Sequence, residues 1–282
     1  MTTAAAPPVP RHRTALPLRV ELVRQLSQWR VQAAVGVLVL LPVVVRIAFF
    51  LGGAQPSSSG TDLGALAQSS GGGFAAFVLL VSGGYLVTIV TAVLFGDLIA
   101  GEASRSTLKY LLAIPVPRLR LLGVKAAAAG IVLLGGLVGM AAVALLVGVL
   151  SYGPGGMQVP NGPRLDLPQT VARLALATAV TPFGLLWAAS LGLLLSVLTD
   201  SPLAAAGGVV VVSIVTSTLD QVEALGDFRL WLPTHYAFAY QQFLLQPIYL
   251  GTVADALIDG LIWVLVAGTL AAWFFHRRDV RG

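Results

Sequence analysis

Six apolar stretches, each long enough to cross a bilayer, constrain this chain more than any other feature. A helix spanning about 30 Å of hydrocarbon needs about 20 apolar residues, and residues 31–52, 73–95, 122–150, 171–198, 203–219 and 256–275 meet that requirement. The fifth is the shortest. The third and fourth exceed the hydrocarbon thickness, so they must tilt or project beyond it. Charged residues make up only 10% of the 282, where a soluble domain carries roughly 25%, and no polar stretch is long enough to fold apart from lipid. The predicted fold is an all-α integral membrane protein: a disordered Pro- and Ala-rich arm at 1–17, then a single six-span domain from 18 to 282.

The charges orient the spans. The first thirty residues are polar and basic, and the apolar run after them is too long for a signal peptide, so the amino end is expected to stay in the cytoplasm. Six crossings then return the carboxyl end to the same side. Lys and Arg collect on cytoplasmic flanks, and 13 of the 17 basic residues fall there: Arg11, Arg13, Arg19, Arg24 and Arg30 in the amino arm, Arg105, Lys109, Arg118, Arg120 and Lys125 between spans two and three, and Arg277, Arg278 and Arg281 in the tail. Arg164, Arg173 and Arg229 fall outside and Arg46 lies within the first span. This asymmetry explains the pI near 10 without a nucleic-acid partner. It points to the plasma membrane, with membrane lipid as the surrounding partner.

Three segments do not cross. Residues 18–30 place Leu18, Leu22, Leu26 and Trp29 on one helical face, with Arg19, Arg24, Gln25 and Gln28 elsewhere. That pattern predicts an amphipathic helix lying in the inner interface, the alternative being an extension of the first span. Residues 220–252 carry Phe228, Trp231, Tyr236, Phe238, Tyr240, Phe243 and Tyr249, which suits short external helices at the outer interface before the sixth span. Residues 53–72 and 151–170, rich in Gly, Pro and Ser, read as plain external connections.

Residues 96–125 read GDLIAGEASRSTLKYLLAIPVPRLRLLGVK. Gly101, Glu102 and Ser104 can open a helix, with the acid at its positive end. Pro115 and Pro117 would stop it, and Arg118 and Arg120 would hold the chain at the anionic inner surface. An ordinary basic loop is the alternative. The order of residues here (Glu102 near the end of span two, Thr107-Leu108, Leu111-Leu112, Pro115, Arg118, then Lys125 opening span three) resembles the permease subunits of type-2 ATP-binding-cassette exporters. Ser106 stands where that family usually has Gly. The six-span hydropathy, the amphipathic first helix and the aromatic segment before the last span extend the resemblance over nearly the whole chain. The resemblance implies a cytoplasmic coupling helix that contacts an ATPase through Gly101, Glu102, Ser106, Thr107, Leu108, Lys109, Leu111, Leu112, Pro115 and Arg118. It also implies two ATPase copies and a second permease, identical or related, with ATP and Mg bound by the ATPase and no cofactor on this chain.

Chemistry of other kinds is missing from the sequence. Neither Lys109 nor Lys125 follows a glycine, so no G-x-x-x-x-G-K-[ST] phosphate loop exists. Ser82-Gly83-Gly84 reads as a small-residue helix contact. There is no cysteine, and His12, His235 and His276 form no metal or acid–base cluster with the acids, so neither a catalytic nor a metal site is expected. Asp255 and Asp259 stand one turn apart and suit a solvated helix entrance or a cation. Ion-coupled transport needs ionisable groups at depth, and the acids lie toward the span ends, Asp97 and Asp200 at inner ones. Pro42 and Pro182 are predicted to kink the first and fourth spans and expose carbonyls to a pathway. Arg46 either snorkels to the outer headgroups or faces the pathway. The function these features support is an exporter permease for an amphipathic, drug-like or lipid-linked cargo, driven by a separate ATPase. A non-transporting assembly or sensor component is the alternative, and a secondary transporter is disfavoured by the missing carboxylates.

Overall fold

The computed structural model describes residues 18–52, 63–105, 117–160, 162–245 and 248–277. Helix α1 covers Leu18–Leu26, α2 Trp29–Gly52, α3 Leu63–Gln68, α4 Gly71–Ser82 and α5 Tyr85–Ser104. Then follow α6 at Arg118–Tyr152, α7 at Leu167–Gly184, α8 at Leu186–Leu198, α9 at Pro202–Asp220 and α10 at Leu250–Arg277. Six helical segments are long and apolar enough to cross a membrane: α2, α5, α6, α7 with α8, α9 and α10. The fold class is therefore an all-helical, six-span membrane protein. The only extended pairing among the described residues is an isolated bridge between Gln158 and Arg164.

The second span departs from its predicted bounds. The apolar run at 73–95 is split at Gly83–Gly84, and α5 continues nine residues past Phe95. At one end, an added Cβ on Gly71 would meet the Val149 backbone nitrogen at 2.6 Å. At the other, Glu102 pairs with Lys125. Val149 and Lys125 lie about 36 Å apart along the continuous α6, so α4 and α5 in series run antiparallel to nearly the full length of the third span. The stretch is also the most enclosed. In the second span 78% of the apolar window is buried, against 11% in the first.

The break has a specific filler. An added Cβ on Gly83 would collide with the Tyr240 ring, so the chain lacks a side chain where that ring approaches the backbone. The Tyr240 hydroxyl donates to the carbonyl of Leu80 at 3.2 Å, one of the carbonyls a helix end leaves unpaired. Tyr240 belongs to the second of two short 3-10 helices, Glu223–Trp231 and Ala239–Phe243. Short helices thus form before the sixth span, as expected. Phe228, Trp231 and Tyr249 are exposed, whereas Tyr240 and Phe243 are buried in the bundle rather than held at the interface. Burial pushes the Tyr240 phenol up to about 12, above its ordinary value near 10. The native state therefore holds this proton more tightly than the unfolded chain. The associated stability is complete below about pH 10 and is lost as pH rises toward 12. Tyr240→Phe is expected to cost about 1–2 kcal/mol at pH 8 and to flatten that alkaline loss, as read from melting curves in detergent at pH 8 and 11.

The described parts of the connections at 53–72 and 151–170 are packed rather than plain. Ser70 caps α4 by accepting from the Gly73 amide and donates to the carbonyl of Gly156. The amides of Gly71 and Gly72 donate to the carbonyls of Gly153 and Gly155, and Met157 and Val159 are buried. The fourth span breaks at Leu185, three residues after Pro182, as expected of a ring that removes one donor and crowds the preceding turn. Around Pro42, by contrast, α2 runs without a break.

Candidate functional site

The segment between spans two and three was expected to carry the function, and the structure places a charged cluster at its base. Five side chains from three helices meet there. From α1, Glu21 accepts a two-point ion pair from Arg24, with both N–O distances 3.0 Å, and a hydrogen bond from Gln25 at 3.0 Å. From α5, Glu102 lies 2.7 Å from the same guanidinium. From α6, the Lys125 ammonium reaches Glu102 at 3.3 Å and Glu21 at 3.4 Å. The Gln25 amide also donates to the Lys125 carbonyl at 3.1 Å. Among the described residues two cations face two carboxylates, so this set is neutral. Glu21, Lys125 and Glu102 are each at most 6% exposed at the side chain. Such groups tolerate desolvation only when their partners are in place.

This arrangement corrects one expectation. Gly101 and Glu102 do not open a new helix. They lie in the last turn of α5, which ends at Ser104. Glu102 is turned into the protein, where the charges of Arg24 and Lys125 outweigh the weak dipole at a helix end. The inward residues of α1 are Glu21 and Gln25, while Leu18 and Leu26 are exposed, which leaves its apolar side free to face lipid. In water an amphipathic helix turns its apolar side to the protein. Beside lipid, the apolar side can face outward and the polar side seek partners within.

Two further braces lie beside the cluster. Arg30 pairs with Asp97 at 2.9 Å, tying the first span to the second. Arg118, at the start of α6, donates to the carbonyls of His276 at 2.7 Å and Phe275 at 3.4 Å, tying the third span to the end of the sixth. Ser196 of the fourth span accepts from the amides of Ile99 and Ala100 at 2.8 and 2.9 Å, so the inner part of α5 is held from another side. Ser106, Thr107, Leu108, Lys109, Leu111, Leu112 and Pro115 lie outside the described residues. Of the expected contact residues, Gly101, Glu102 and Arg118 are placed, all three at the flanks of that segment.

A groove of about 570 Å³ runs between the first, second and fifth spans, lined by Trp29, Arg30, Val37, Val93, Asp97 and Leu203. Pro42 and Pro182 do not line it. Arg46 stands at the opposite end of α2, its guanidinium over the rings of Tyr152 and Phe50 at 5.2 and 5.8 Å. At the external end His235 sits 2.6 Å from Asp220. No group of three or more His, Cys, Asp or Glu residues able to hold a metal occurs among the described residues.

The sequence pattern left Glu21 unassigned, although it is the one acid of a basic arm and stands three and four residues before Arg24 and Gln25, the spacing that brings helix side chains together. Lys125 was legible as the opening of span three but not as a partner of Glu21, 104 positions earlier.

No curated protein matches the sequence. Residues 29–201 match the family described as ABC-2 family transporter protein. That stretch contains the first four spans, the Glu102–Lys125 pair and the whole intervening segment, and it covers more than half of the chain. With its six apolar crossings, the chain belongs to the ABC-2 transporter family, the multi-pass membrane permeases of ATP-binding-cassette transporters that associate with an ATPase partner.

Proposed function

We propose that the chain is an exporter permease whose residues 106–116 form a coupling helix seated on a cytoplasmic ATPase. Two permease copies and two ATPases would make the complete machine, with ATP and Mg bound by the ATPase, both termini in the cytoplasm and the assembly in the plasma membrane. The observation that carries this is the bracing on both sides of the segment. Glu102 before it and Lys125 after it are joined in one buried cluster, and Arg118 anchors the start of the third span to the sixth. A force applied between those anchors moves at least three spans together, because the buried charges cannot separate without exposing unpaired ions to a dry environment. The groove between the first, second and fifth spans supports a lateral path that a second copy would close, and its largely apolar wall suits an amphipathic or lipid-linked cargo.

The test is to purify the chain in lipid with and without the ATPase and to measure ATP hydrolysis and vesicle transport. The expected result is a stable complex in which candidate amphiphiles stimulate hydrolysis and move in the direction set by ATP. A stable complex that hydrolyses ATP but moves none of a broad panel of amphiphiles would favour a sensor or assembly component. Absence of any ATPase complex would overturn the proposal.

A further inference from the structure

At the end of the bundle opposite the ion cluster, α2 and α6 converge on an arrangement that coupling does not require. The side chain of Arg46 is half-buried and its Nε is enclosed without a hydrogen-bond partner. No carboxylate among the described residues pairs with it. Its only described partners are the rings of Tyr152 and Phe50, and the Tyr152 hydroxyl is likewise enclosed and unpartnered. The guanidinium thus lies over the face of a ring whose own hydroxyl is unpartnered. Both are costly to leave unsatisfied next to lipid.

Their depth is informative. Arg46 is about 24 Å along α2 from Arg30, and Arg30 sits at the charged end, paired with Asp97. Against about 30 Å of hydrocarbon, that puts the guanidinium just below the opposite headgroup layer. The surrounding surface is apolar and exposed: Ile47, Phe50 and Leu51 on α2, and Leu146 and Leu150 on α6. Behind it Phe49, Phe74 and Tyr152 form a packed aromatic wall, with ring centroids 5.7 to 6.3 Å apart. A guanidinium held over aromatic rings, with its Nε enclosed, leaves its two outer amino groups for two-point binding of a phosphate.

We propose that Arg46 and Tyr152 form a binding site for the phosphate of a membrane lipid, whose acyl chains lie along Ile47, Phe50, Leu51 and Leu150. The outer amino groups of the guanidinium donate to phosphate oxygens, and the Tyr152 ring beneath it holds the guanidinium in place. The exposed apolar flank selects an amphiphile over a free anion, and the charge selects an anionic lipid over a zwitterionic one. This site is independent of the coupling proposal and of what the transporter carries.

Native mass spectrometry of the full chain, released from vesicles of phosphatidylcholine containing one-fifth phosphatidylglycerol, tests the site directly. The wild type is expected to retain phosphatidylglycerol out of proportion to its abundance. Arg46→Met, which keeps the apolar stem against the rings, should reduce that retention about tenfold, the scale of a lost charge-assisted pair. Tyr152→Leu, which removes the ring beneath the guanidinium, should reduce it by roughly threefold, and Arg46→Lys should fall between wild type and Arg46→Met, because Lys keeps the charge but lacks the fork. Inorganic phosphate at millimolar concentration should not displace the lipid. Retention unchanged in Arg46→Met would overturn the site. Full displacement by inorganic phosphate would assign it to a small anion instead, against the proposal. Should Arg46→Met fail to fold, the other two variants decide, and wild-type retention in both would be equally fatal.

Discussion

Lys125→Met is expected to destabilise the isolated chain by about 3–5 kcal/mol, the usual cost of removing one member of a buried ion pair. The wild-type cluster balances Arg24 and Lys125 against Glu21 and Glu102. Without the ammonium, one guanidinium must serve two carboxylates that are almost fully enclosed. Three helices are affected at once, because Lys125 reaches Glu21 of α1 and Glu102 of α5 from α6. The double variant Glu102→Gln, Lys125→Met should recover much of the loss, since the remaining Glu21–Arg24 pair is again neutral. Neighbouring sites of this kind couple by about 0.5–3 kcal/mol. Melting midpoints in detergent for the wild type, both single variants and the double variant give the comparison. If the double variant loses as much as the sum of the singles, the two groups do not act as a pair.

Such a cluster was not legible in the sequence, although the spans were. Apolar runs announce themselves because every residue facing lipid must be apolar, so the six crossings follow from hydropathy alone. At α1 the apolar face was legible and its polar partners were not. Leu18, Leu22, Leu26 and Trp29 mark the face suited to the interface, whereas nothing local shows that Glu21 and Gln25 turn inward. The break in the second span was written as Ser82-Gly83-Gly84, where two glycines weaken a helix. What fixes it there is Tyr240, more than 150 positions later, and no local pattern encodes that distance. Pro182 was legible because its effect is covalent and local. Pro42 obeys the same chemistry within an unbroken helix, so a proline alone does not settle where a span divides.

Charges near span ends repeat this lesson. Positive-inside counting uses Arg24, Arg30, Arg118 and Lys125 as one sum, whereas the structure gives them particular partners: Glu21 and Glu102 shared by Arg24 and Lys125, Asp97 for Arg30, and helix-end carbonyls for Arg118. The sum gives only an expected orientation, whereas the partners join the helices. Arg46 belongs to neither group, which is why its ring-stacked, unpaired state points to something outside the chain.

The largest functional effect is expected from Leu108→Asp. If residues 106–116 seat in a cleft of the ATPase, an aspartate there carries a charge into a dry socket, and loss at a central apolar anchor costs 2 kcal/mol or more. That is roughly a thirtyfold weaker complex, with transport-coupled hydrolysis falling to that of the ATPase alone. On this proposal the isolated chain should melt as the wild type does, because a side chain seated in the ATPase cleft is one that the permease alone leaves exposed. Lys125→Met should show the reverse pattern, with a lower melting point but a complex still detectable at low temperature. Measuring affinity by titration and stability by melting for both variants separates a part that receives the force from the part that distributes it. Wild-type affinity in Leu108→Asp would mean that the ATPase is engaged elsewhere on the permease, and the buried cluster would then be a structural clamp with no place in coupling.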